Sequence, residues 1–133
     1  MFRVVREIHF SYGHRLLDYP GKCSHLHGHN ARVYIEVSSE RLNHEGMVMD
    51  FYQIREAVGS WIREVLDHKM ILYKEDPLVP ILQKAGEPIV LMDQNPTAEA
   101  LAQWIFMEAR KKRLPVSRVT LWETQDNSAV YHE

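Results

Sequence analysis

The chain predicts an α+β fold, an antiparallel sheet covered by helices, with strands grouped at the two ends of the sequence and helices between them. Two N-terminal stretches alternate apolar and polar residues with a period of two. Two central stretches repeat their apolar residues at helical spacing, and a pair of short β-rich runs closes the chain.

From Phe2 to Tyr12 the even positions Phe2, Val4, Ile8, Phe10 and Tyr12 are apolar, with Arg6 the exception, while Arg3, Glu7, His9 and Ser11 are polar. That is a strand with one buried face. Residues His29 to Ser38 repeat the pattern through Ala31, Val33, Ile35 and Val37, and the intervening DYPGKCSHLHG is rich in turn formers. Asp50 then caps a helix, Gln53 completes a capping box, and Phe51, Ile54, Val58, Trp61, Ile62, Val65 and Leu66 share one face. DPLVPILQKAG (76–86) predicts a short helix ending at Gly86, and PIVLM (88–92) a short strand or apolar plug. A second long helix opens at NPT (95–97), capped by Asn95 or Thr97, and runs to about Arg113. Val116 to Thr124 and Ser128 to His132 read as strands joined by a QDN turn. A sheet this small leaves edges to cover, so assembly through those edges is expected.

The length of 133 residues suits one domain, 1–133, with no repeat or linker. With 26% charged residues and a net charge of -2, the chain lacks the basic excess of a nucleic-acid binder. The Arg110–Arg113 cluster serves a helix C-terminus. A single cysteine forms no internal disulfide, which points to the cytoplasm. Arg3, Arg6 and Glu7 break the N-terminal stretch, so it reads as neither signal peptide nor membrane span.

The chemistry concentrates in CSHLHGH (23–29). In extended backbone His27 and His29 point the same way, and His14 ends the first strand in phase with Phe10 and Tyr12. If the two strands pair antiparallel around the loop, the three imidazoles meet and leave a fourth position open, a catalytic zinc arrangement. Cys23 reads as a further ligand, as a base just outside the ligand shell where a nearby cation favours the thiolate, or as a small buried hydrophobe. Asp67–His68 is either a carboxylate-oriented proton-transfer pair or a plain helix terminus. Glu123, inside a strand, is either a solvated face residue or an anchor for an amidine-like N–H edge.

Taken together, FSYGHRL, CSHLHGH, MVMDF, LDHK, NPTAE and WETQDN occur in the order seen in 6-pyruvoyltetrahydropterin synthases and the related 6-carboxytetrahydropterin synthases of queuosine biosynthesis, which the chain resembles over nearly its whole length. The resemblance implies a tunnelling-type fold. This is an antiparallel four-stranded sheet with two long helices on one face, assembling into a ring or barrel, usually a homohexamer of two stacked trimers with active sites at subunit interfaces. It implies Zn2+ on His14, His27 and His29, catalysis by Cys23, Asp67 and His68, and pterin contacts from Glu123, Thr97 and Glu99. His25 matches no family role.

The implied substrate is 7,8-dihydroneopterin triphosphate, a small-molecule pterin, with zinc as Lewis acid, Cys23 as the base and His68, held by Asp67, as the other acid–base group. Two products are open. NPTAE followed by ALAQWIF resembles the branch that forms 6-carboxy-5,6,7,8-tetrahydropterin with release of acetaldehyde and triphosphate. Lys69 in LDHK resembles the 6-pyruvoyl branch, and the segment from His68 to Asn95 is longer than in compact members. A third alternative is a non-catalytic zinc- and pterin-binding ring subunit, against which the intact Cys23, Asp67 and His68 argue.

Overall fold

Strands β1 (Phe2–His14) and β2 (His27–Ser39) pair antiparallel along their whole length, from Phe2 opposite Ser39 to His14 opposite His27, in a computed structural model that describes all 133 residues. The period of two makes one face of this ladder apolar: Phe10 and Tyr12 of β1 and Ala31, Val33, Ile35 and Val37 of β2 are buried.

Three helical bodies follow. In the first, α1 (Phe51–Ile54), a π-helical turn (Arg55–Gly59) and α2 (Ser60–Val65) run on without a break. Its buried residues Ile54, Val58, Ile62 and Leu66 are four apart. Four-residue steps drift by about 40° per step on an α-helix. The wider π turn absorbs part of that drift and keeps the four side chains on the core. The Asp50 carboxylate accepts from the Tyr52 amide at 2.8 Å, whereas Gln53 contributes only its amide, to the Asp50 carbonyl, so the expected capping box is a simple cap.

Next come β3 (Lys69–Tyr73), α3 (Leu78–Lys84) and β4 (Ile89–Met92). Gly86, at φ 81°, ends α3 as expected, with Gly86 N–H donating to the Gln83 carbonyl and Glu87 N–H to that of Leu82. The last helix, α4 (Ala98–Lys111), is capped by Thr97, whose hydroxyl accepts from the Ala100 amide at 3.1 Å. Strands β5 (Val116–Trp122) and β6 (Ser128–His132) close the chain.

The sheet has six strands in the order β4-β3-β1-β2-β5-β6, which corrects the four-stranded antiparallel expectation. Both β3 on β1 and β4 on β3 are parallel, so the sheet is mixed. KMILY and IVLM are short apolar runs without alternation, and β3 meets β1 through only three residue pairs, Tyr12–Lys69 to His14–Ile71. Such a strand leaves little period to read. The two long helical bodies cover the apolar sheet face, where Leu101, Ala102, Ile105, Phe106 and Ala109 of α4 join the α1–α2 stripe in one core.

Beyond His14 the chain is tied down by an ion pair. Both Asp76 oxygens accept from the Arg15 guanidinium, one also accepts the Leu78 amide at 2.8 Å, and Asp76 is only 2% exposed. These bonds, the Arg15 contact foremost, hold the Asp76 carboxyl below its ordinary range despite burial. A depressed folded-state pKa contributes stability that is present above the unfolded carboxylate value, about 3.9, and is lost as pH falls through the lower folded value. Asp76→Ala is expected to cost roughly 3 kcal/mol in urea unfolding at pH 7, because the Arg15 charge is left unpaired. It should also flatten the acid limb of the stability curve below about pH 4.

Candidate functional site

The β1–β2 register places His14 opposite His27 and Tyr12 opposite His29, and directly opposed residues share a face. The three imidazoles therefore converge at the end of the core. Their centroids lie 4.5 Å apart for His14 and His27 and 5.1 Å for each of the other two pairs, and one nitrogen from each ring lies within 4.8 Å of the others. Two backbone carbonyls fix the tautomers. His14 Nδ1–H donates to the Pro96 carbonyl and His27 Nδ1–H to the His25 carbonyl, both at 2.7 Å, which leaves each Nε2 as a lone pair. His14 is 3% exposed, and its Nε2 has no hydrogen-bond partner. A buried, unpaired acceptor facing two further imidazoles fits a cation. Burial also holds His14 and His29 below the ordinary imidazole value, which favours the neutral form that ligation requires.

Between His27 and His29, Gly28 lies opposite Gly13. A Cβ there would sit 3.1 Å from the Tyr12 carbonyl oxygen, closer than most side chains tolerate. This close approach of backbones explains a glycine between the two histidines.

Glu123 follows β5 and faces the same cluster. Its amide donates to the Asn127 carbonyl at 3.0 Å, while the Thr124 hydroxyl accepts from the Asp126 and Asn127 amides, so the turn holds it rigidly. Its carboxylate accepts from the Tyr12 hydroxyl at 3.1 Å and lies 3.9 Å from His14 Nε2 and 4.0 Å from His29 Nε2. Burial, and then Glu123, raise the Tyr12 pKa well above its usual value, so the phenol stays a donor. The alternation of β1 marks Tyr12 as core alone. Its phase with His14 was the available signal, since a buried hydroxyl needs a partner.

A cavity of about 310 Å³ is lined by His14, Cys23, Thr97, Glu99, Glu123 and Asn127, among others. Cys23 sits half-buried on the short helical turn Lys22–Ser24, outside the histidine cluster. The Thr97 hydroxyl is committed to the α4 cap.

Asp67 and His68 leave the end of α2 and are stitched to β1. The Ser11 amide donates to Asp67 Oδ1 at 2.9 Å, the His68 amide to the Ser11 carbonyl at 2.7 Å, and His68 Nδ1–H to Asp67 Oδ2 at 3.0 Å. Burial opposes the Asp67 charge, but the Ser11 and His68 bonds outweigh it and lower its pKa. His68 adopts left-handed backbone, φ 58°, and its ring is 80% exposed. It lines a second cavity, about 530 Å³, with Gly13, Gly28, Asn30 and Lys69. Cys23 and His68 therefore line different cavities of one chain, while His27 and His29 also border the second.

The chain matches the model of the 6-pyruvoyl tetrahydropterin synthase family over residues 3–133. A 6-carboxy-5,6,7,8-tetrahydropterin synthase of Rickettsia felis is 34% identical, covering 93% of this chain and 95% of that one. The Aquifex aeolicus protein of the same name is 38% identical over 84% of this chain and 76% of its own. A crystal structure of an uncharacterised protein from Wolinella succinogenes superposes with a TM-score of 0.86 at 26% identity, covering 99% of this chain and 98% of that one. By its match from the third residue to the last, and by relatives of nearly equal length, the chain belongs to the 6-pyruvoyl tetrahydropterin synthase family.

Proposed function

We propose that the protein is a zinc-dependent lyase, a single domain over residues 1–133, that converts 7,8-dihydroneopterin triphosphate to 6-carboxy-5,6,7,8-tetrahydropterin with release of acetaldehyde and triphosphate. The observation that carries this is the three-histidine cluster, with His14 Nε2 buried and unpaired, beside the cavity shared by Cys23 and Glu123. The names of the Rickettsia felis and Aquifex aeolicus relatives favour the carboxy product. That product belongs to queuosine biosynthesis in the resemblance described above, and the working compartment is the cytoplasm.

His14, His27 and His29 hold the metal, which supplies Lewis acidity to substrate oxygens. Glu123, fixed by the Tyr12 hydroxyl, accepts N–H bonds from the pterin edge, and Thr97 and Glu99 border the same cavity. Cys23 takes the carbon-bound proton of the substrate side chain. His68 exchanges the second proton, with Asp67 holding its ring by Nδ1. Because Cys23 and His68 line different cavities, the complete site draws them from neighbouring subunits of a ring, a homohexamer of two trimers. A second reading, formation of the 6-pyruvoyl product from the same substrate, is favoured by Lys69 beside His68.

Purified protein should carry about one zinc per chain. A triple alanine variant at His14, His27 and His29 that kept its metal would sink the assignment. Cys23→Ala and His68→Ala should each lose roughly 10²-fold or more in turnover while keeping the metal. Mixing the two variants under subunit exchange should restore about a quarter of the sites, those pairing an intact Cys23 with an intact His68. No recovery on mixing would put both groups in one chain, and near-normal rates in both single variants would leave a non-catalytic binder. A coupled alcohol dehydrogenase should detect acetaldehyde in step with triphosphate. Triphosphate without acetaldehyde, together with a 6-pyruvoyl product, would favour the second reading.

A further inference from the structure

The segment Asn95–Thr97 touches the site at its last two residues, each through a different group. Thr97 caps α4 and borders the Cys23–Glu123 cavity. The Pro96 carbonyl accepts from His14 Nδ1. The Asn95 side chain does neither: its carboxamide oxygen accepts from the Leu17 amide at 2.9 Å and its nitrogen donates to the Leu17 carbonyl at 3.0 Å. Leu17 lies three residues beyond His14, where β1 has ended and no strand partner remains. One planar amide thus makes both backbone bonds that a neighbouring strand would otherwise make.

We infer that Asn95 is a positioning residue for the metal centre: by clamping Leu17 it holds the Pro96 carbonyl against His14 and so presents His14 Nε2 unprotonated to the ion. This rests on the metal reading proposed above. Pro96 lacks an N–H and has a fixed φ, so it makes no amide bond of its own to hold its carbonyl in place. The clamp on one side and the Thr97 cap on the other confine that carbonyl. Without the clamp, His14 keeps its place in the ladder, but its Nδ1–H loses a fixed acceptor and the ring is free to take the other tautomer. A lost partner of this kind weakens metal affinity by roughly 10- to 100-fold in other sites.

Zinc and cobalt(II) affinities, measured by chelator competition on the full chain after metal removal, test the inference. Asn95→Ala is the main variant, and Asn95→Asp keeps the acceptor for the Leu17 amide but loses the donor. Asp50→Ala, which removes the α1 cap far from the histidines, serves as a control for lost stability. Asn95→Ala should bind both ions roughly 10-fold or more weakly and alter the visible spectrum of bound cobalt(II). Asn95→Asp should fall between it and the wild type, and Asp50→Ala should match the wild type. Wild-type affinity and spectrum in Asn95→Ala would overturn the inference while leaving the metal site standing. If that variant does not fold, wild-type affinity in Asn95→Asp would do the same. A wild-type chain that binds neither ion would overturn the metal reading itself, and the inference with it.

Discussion

The register of β1 on β2 is the constraint on which the site depends. Side chains alternate faces, so a slip of one residue would turn His14, Phe10 and Tyr12 away from the core to the opposite face of the ladder. The three histidines are therefore held in place by the burial of apolar residues along the same face. Ala31, Val33, Ile35 and Val37 continue the face that begins with His27 and His29, and covering that face under the helices fixes where the histidines point.

The same face changes character along its length. At its middle it is apolar but for Arg6. At the His14 end it carries a phenol, three imidazoles and a carboxylate in mutual contact, all close to a packed core. Polar groups so placed are costly unless partnered. Here the backbone carbonyls of Pro96 and His25, and the Tyr12–Glu123 bond, satisfy part of them, and the buried His14 Nε2 facing the cluster is left unpaired.

Much of this was legible in the sequence because it repeats with a period. The alternation of β1 and β2, the antiparallel loop between them and the convergence of His14, His27 and His29 all follow from it. What was not legible depends on backbone atoms or on distant pairing. His25 looked idle because its contribution is a carbonyl, not a ring. The choice of Thr97 over Asn95 as cap turned on the Leu17 amide, seventy-eight positions from Asn95. KMILY showed no alternation, and its partner β1 lies far upstream, so the sheet was counted two strands short. The separation of Cys23 from His68 followed from which side of the sheet each opens on, a property of the missed β3 and the turn before it.

The π turn at Arg55–Gly59 has a consequence at the far end of its helix. Each helical residue advances the chain by about 100°, so the number of residues in that body sets the compass direction in which Asp67 and His68 emerge. The widened turn is thus a phase setting. It lets a stripe of four-residue spacing stay on the core and still delivers Asp67 to the Ser11 amide. A chain that kept all five residues there but wound them as a plain α-helix would keep its apolar content, yet point Asp67 and His68 somewhere else.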